Sequence, residues 1–139
     1  MSTFGDQRVP RRQGFDPIRA MSALDHERRA NLVGTIVGHP SGTPSRKELK
    51  YYNPSIPEST LSGQLEKLET VGVVESAEKD RAGLRRGEPY RFYRLTDEAR
   101  DLFERNDIFG ADPYKNLFEQ VEKTDEIRAA EQASRPAFE

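Results

Sequence analysis

Apolar positions change their spacing along this chain, and the changes mark its elements. Leu24, Leu32, Val33, Ile36 and Val37 recur at helical intervals, as one buried face of a helix requires. Asp25 offers that helix a start, and Gly38 and Pro40 end it. Upstream, Asp16-Pro17 pairs an N-cap with proline at the first helical position and predicts a short helix over 17–22. After the turn SGTP, Ser45-Arg46-Lys47-Glu48 reads as a capping box opening a short helix, with Leu49 and Tyr52 inward. NPSIP breaks it. Ser55-Ile56-Pro57-Glu58 reads as a second capping box, opening a helix with Leu61, Leu65, Leu68 and Val71 on one stripe. Gly72 then stands where a left-handed C-terminal cap belongs.

The period drops to two after that glycine. VVESAEKD (73–80) and YRFYRL (90–95) read as strands, joined by the Gly- and Arg-rich RAGLRRGEP as a hairpin. Thr96 caps the helix DEARDLFERNDIF, with Asp97 and Glu98 in the first turn, where acidic side chains complement the helix dipole. Asp112-Pro113 opens a last helix through residue 133, with Tyr114, Leu117, Phe118 and Val121 on one side.

The expected class is therefore mainly α with a small β-hairpin: a winged helix-turn-helix. Residues 15–109 form that domain, 1–14 an arm carrying Arg8, Arg11 and Arg12, 112–133 a C-terminal dimerisation helix, and 134–139 a tail. The arm reads either as a disordered tail or as a segment touching phosphate or a partner subunit.

Charge sharpens this picture. The 139 residues carry a formal charge of −2, unpromising for a nucleic-acid binder. The distribution is uneven: residues 1–95 hold 16 basic and 12 acidic side chains, residues 96–139 hold 6 and 12. A basic front suits an anionic partner. Arginine outnumbers lysine 16 to 6, and its fork suits phosphate, although genome composition gives the same bias. With no cysteine, disulfides, zinc-thiolate sites and thiol redox sensing are excluded. No apolar run approaches the ~20 residues of a bilayer span, and the N-terminus lacks the apolar core of a secretory signal, so the cytoplasm is the expected location.

Residues 22–105 resemble winged helix-turn-helix regulators of the prokaryotic ArsR/MarR/PadR kind. SRKEL resembles the first helix of the motif, PESTLSGQLEKLETVGVVE the recognition helix, and YRFYRLTDEARDLF the second wing strand with the helix after it. LDHERRANLVGTIVGHPSG, with the arginine bias and absent cysteine, is similar to haloarchaeal members, among them oxidative-stress regulators. Two departures stand out. Glu48-Leu49 runs into Lys50-Tyr51-Tyr52 rather than the thiolate ligands of metal sensors, and Gly63 stands where many relatives carry a basic side chain.

The resemblance implies double-stranded DNA as partner, read by a homodimer on a palindromic operator. The major groove, about 12 Å wide, takes one helix with short polar residues outward. Ser59, Thr60, Ser62, Gly63, Gln64 and Lys67 supply that face, with Gln64 suited to adenine. Glu58 repels phosphate and is assigned to capping. Arg81, Arg85, Arg86 and Arg91 in the wing suit the backbone or minor groove. Arg46 and Lys47 can reach phosphate. Inorganic ions at the DNA interface belong to the same reading. Tyr114, Leu117, Phe118 and Val121 are the expected dimerisation strip.

Blander readings stand beside these. The polar helix face and the wing arginines can be solvated surface, and the Tyr114 strip can pack on its own domain. His26 and His39 are simpler as a helix-surface and a turn histidine than as a metal pair. The whole fold can instead serve as a protein-interaction module in transcription machinery. No nucleophile–base pair, phosphate-cradling loop or metal motif is visible, so neither an enzyme nor a cofactor is expected.

Overall fold

In the computed structural model, residues 14–138 are described. The basic arm expected over residues 1–14 thus lies outside the described residues, apart from Gly14. Helix α1 (Pro17–Ala23) begins as its sequence dictates: Asp16 Oδ1 accepts the Ile18 amide at 3.1 Å, and Pro17 occupies the first turn. Helix α2 (Glu27–Gly38) drives Leu32, Val33 and Ile36 into the core. It starts at His26 without a side-chain cap, so Asp25 does not cap it.

Helix α3 (Arg46–Tyr52) carries the full capping box. Ser45 Oγ accepts from the Glu48 amide at 3.2 Å, and Glu48 Oε1 takes the Ser45 amide at 3.0 Å. Helix α4 (Glu58–Thr70) departs from the expectation: Pro57 is its N-cap, no side chain caps it, and the Ser55–Glu58 box does not form. The helix begins two residues later than a box needs, which puts Glu58 in its first position, and the Glu58 carboxylate is held by Arg46 Nη1 at 3.1 Å instead. The far end follows the sequence. Gly72, at φ +78°, closes a Schellman motif: its amide meets Glu69 O at 3.0 Å and the Val73 amide meets Leu68 O at 2.9 Å.

That turn launches β1 (Val74–Glu78), antiparallel to β2 (Arg91–Leu95), with Val74 opposite Leu95 and Glu78 opposite Arg91. Both Phe92 and Tyr93 are buried, so β2 has no polar face at its centre. The reason lies on its other edge, where the chain just before α3 bridges it: Ser45 pairs with Phe92, and the Tyr93 amide meets Pro44 O at 3.0 Å. The hairpin is thereby fixed to the helix pair. Helix α5 (Asp97–Arg105) starts at Thr96, whose Oγ1 accepts the Ala99 amide and donates to Gly72 O at 2.6 Å. One core joins these elements through Leu49, Leu61, Leu65, Leu68, Val74, Leu95 and Phe103.

The single C-terminal helix expected over 112–133 is two helices. Helix α6 (Ala111–Glu119) stops, and Thr124 caps α7 (Asp125–Gln132) by accepting the Ile127 amide. The reason is packing. α6 lies on α2 at the glycines: a Cβ on Gly34 would stand 2.5 Å from the Tyr114 ring, and one on Gly38 would stand 2.7 Å from the Tyr114 carbonyl oxygen. α7 lies on α3 instead, burying Ile127 and Ala130. One straight rod cannot serve both surfaces.

Candidate nucleic-acid interface

Helix α4 turns its leucines inward and exposes Ser59, Ser62, Gly63 and Lys67, with Thr60 and Gln64 half-buried. A Cβ on Gly63 would meet nothing within 4 Å, so this backbone lies open to any approaching surface. Two arginines from neighbouring helices brace the row. Arg46 Nη2 donates to Ser62 Oγ at 2.6 Å while its other nitrogen holds Glu58. Arg29 on α2 donates to Gln64 Oε1 at 2.9 Å. Glu58 therefore neutralises Arg46 and does not cap its helix. The Arg29 hydrogen bond takes one lone pair of the Gln64 oxygen and fixes the amide's orientation; the second lone pair and the NH2 group remain for a base.

Lys50 ties the turn between α3 and α4, donating to Pro54 O at 3.1 Å and Ile56 O at 2.7 Å. Lys47 donates to Gly87 O at 2.9 Å, joining α3 to the hairpin loop, and also pairs with Glu126 of α7. The two helices and the loop thus form one scaffold whose contacts run through basic side chains.

The loop arginines divide into two groups. Arg91 is inside the hairpin's own network: it donates to Glu78 Oε2 at 2.7 Å and to Ser76 and lies near Glu69. Burial opposes its charge, yet these carboxylates hold its pKa above the ordinary arginine value. Arg94 is likewise paired with Glu75 at 2.8 Å, and Arg81 lies over the Tyr90 ring at 4.1 Å. Arg85 and Arg86 are exposed, and neither side chain makes a hydrogen bond or ion pair among the described residues. Opposite charge nearby is already spoken for. The Glu88 carboxylate accepts the Arg85 amide, which holds its pKa below the usual range, and Lys79 stands 3.6 Å away.

The sequence reading missed Arg19 and Arg29. With Lys67 they line a shallow hollow at the far end of α4, extending its basic surface. The charges were visible in the sequence. Their meeting across more than 35 positions was not.

The expected dimerisation strip separates into two faces. Phe118 is buried, its ring 4.0 Å from Tyr52 and edge-on to His39, and Tyr114 sits on Gly34. Both pack on their own domain. Leu117 and Val121 face outward, 60% and 40% exposed.

A solved structure from Halomicrobium mukohataei, described as a protein with a GntR superfamily winged-helix-turn-helix domain, is similar throughout. Identity is 31%, the match covers 95% of this chain and 94% of that one, and the TM-score is 0.78. The chain belongs to this superfamily of winged-helix-turn-helix proteins. No family model matches the chain, and no curated protein matches it. In this fold α4 is the recognition helix, α3 the first helix of the motif and the β1–β2 hairpin the wing. The class is a non-enzymatic, DNA-binding one, and regulation of transcription is its general role. Among the described residues, no group of three or more His, Asp and Glu could hold a metal ion. No helix there is long and apolar enough to cross a membrane.

Proposed function

We propose that this protein is a homodimeric, sequence-specific transcriptional regulator of the haloarchaeal kind, acting on a palindromic operator. The recognition helix enters the major groove with Ser59, Ser62, Gln64 and Lys67 toward the base edges. Gly63 allows the close backbone approach that a side chain would block. Arg85 and Arg86 grip the flanking backbone or minor groove. Leu117 and Val121 form the apolar part of a two-fold interface that sets the half-site spacing.

The observation that carries this reading is the pairing of one exposed polar row on α4 with two unpartnered arginines on the adjacent wing. Solvated surface explains either alone. Together, on a winged helix-turn-helix, they match a groove reader and a backbone clamp.

Selection of bound duplexes from a random pool at low and molar KCl tests it. The expected result is a palindrome with half-sites about one helical turn, ~34 Å, apart. Enrichment of nothing at either salt would sink the DNA reading and leave a protein-interaction module in its place.

A further inference from the structure

The wing and α7 face each other across a crevice of about 680 Å³. Its basic rim is Lys47, Arg85 and Arg86; its acidic members are Glu88 and Glu126. Glu88 is held within the wing by the Arg85 amide and Lys79. Glu126 pairs with Lys47 and makes no other ion pair among the described residues. One carboxylate from the C-terminal unit thus sits on the lysine at the mouth of an otherwise basic crevice.

Its position is set from inside. Ile127 and Ala130 bury α7 against α3, and Tyr51 Oη donates to Glu122 O at 2.5 Å just before α7 begins. Past α7, Arg135 reaches through to Glu48 at 2.8 Å and to Thr43 O at 3.1 Å. A helix docked at three points presents Glu126, itself mostly exposed, to Lys47.

We propose that this crevice is a phosphodiester-binding site and that Glu126 is its built-in counter-ion, occupying Lys47 until a DNA phosphate displaces it. The proposal rests on the DNA-binding reading and adds α7 to the interface. Carboxylate and phosphate oxygens present the same acceptor chemistry to an ammonium. Exchange of one for the other leaves the Glu126 charge unpaired near the polyanion. The protein therefore binds more weakly than its basic residues allow, and it recaptures a cation at Glu126 as DNA docks.

The test measures binding of a mixed-sequence duplex of about 30 base pairs by wild type, Glu126→Gln and Asp125→Asn across a KCl series, since backbone contact is independent of sequence. Asp125→Asn removes the same charge from the neighbouring residue, which pairs with Arg128 rather than Lys47. Glu126→Gln is expected to tighten binding about two- to fivefold at low salt and to steepen the salt slope by roughly one. Asp125→Asn is expected to do clearly less. An unchanged or weakened Glu126→Gln, or equal gains in the two variants, would overturn the site. Failure of the DNA reading is separable: no duplex is then bound by wild type or either variant, and both proposals fall.

Discussion

Arg135 Nη2 lies 2.8 Å from Glu48 Oε1, joining residues 87 positions apart beneath the first helix of the DNA-binding motif. The same carboxylate side chain takes His39 Nε2 at 2.5 Å and the Ser45 amide at 3.0 Å, with no solvent exposure. The guanidinium also donates to Ala130 O and Ala133 O and lies over the Phe92 ring at 4.8 Å. Removing one member of a buried pair strands the other charge. Arg135→Met is expected to destabilise the fold by about 3 kcal/mol in urea unfolding, with only partial recovery in Arg135→Lys, whose single nitrogen cannot replace the fork. Equal stability of Met and wild type would show that the cluster contributes nothing.

The same carboxylate gives the fold an acid limit. Burial alone would raise the Glu48 pKa, but the His39 hydrogen bond and charge, the Ser45 amide and Arg135 together pull it below 4.5. Its folded value is lower than its unfolded value. The stability it contributes is therefore complete above about 4.5 and is lost as pH falls through the folded value. Glu48→Gln is expected to be less stable than wild type at neutral pH, with the gap narrowing as pH falls below about 4.5 in parallel urea titrations. A gap that does not narrow on acidification would refute this.

Gly38 carries a different constraint. A Cβ there would stand 2.7 Å from the Tyr114 carbonyl oxygen, which is backbone and cannot swing aside. Gly38→Ala is expected to lower stability by about 1–3 kcal/mol and to loosen α6, seen as faster amide exchange over 111–119. Gly63→Ala, with open space around its Cβ, serves as the control and is expected to be neutral or slightly stabilising.

The Arg85 and Arg86 side chains make no hydrogen bond or ion pair among the described residues, so truncating them tests DNA contact with little disturbance of the fold. The double alanine variant is expected to keep the wild-type melting temperature, weaken binding to all duplexes alike, and flatten the salt slope by up to about 2. Gln64→Ala is expected to act differently, relaxing preference at one base pair at about 1–3 kcal/mol. Uniform loss in both variants would remove Gln64 from the reading face.

Leu117 and Val121 test the dimer. Leu117→Asp places a charge on the exposed side of α6 while Phe118 keeps the helix docked. Sedimentation equilibrium is expected to show a dimer for wild type and a monomer for the variant, with unchanged helix content. A variant that still dimerises would move the two-fold interface elsewhere.

Much of this protein is decided locally, and there the sequence alone sufficed. The caps at Asp16, Ser45 and Thr96, the left-handed turn at Gly72 and the leucine stripe of α4 depend on neighbours within a few residues. Those short-range rules fix helix, turn, helix and hairpin in order, and with them the exposed row from Ser59 to Lys67. What the tertiary structure decided involves charged side chains whose partners lie far along the chain. Glu58 pairs with Arg46 instead of capping, Arg91 is drawn into its own hairpin, and Glu126 covers Lys47. An arginine chooses among several carboxylates within reach, and distance in space, not spacing in sequence, makes that choice. The broken C-terminal helix is a mixed case: Thr124, followed by Asp125 and Glu126, is a local N-cap, and packing on both α2 and α3 holds the two halves apart between Glu119 and Asp125.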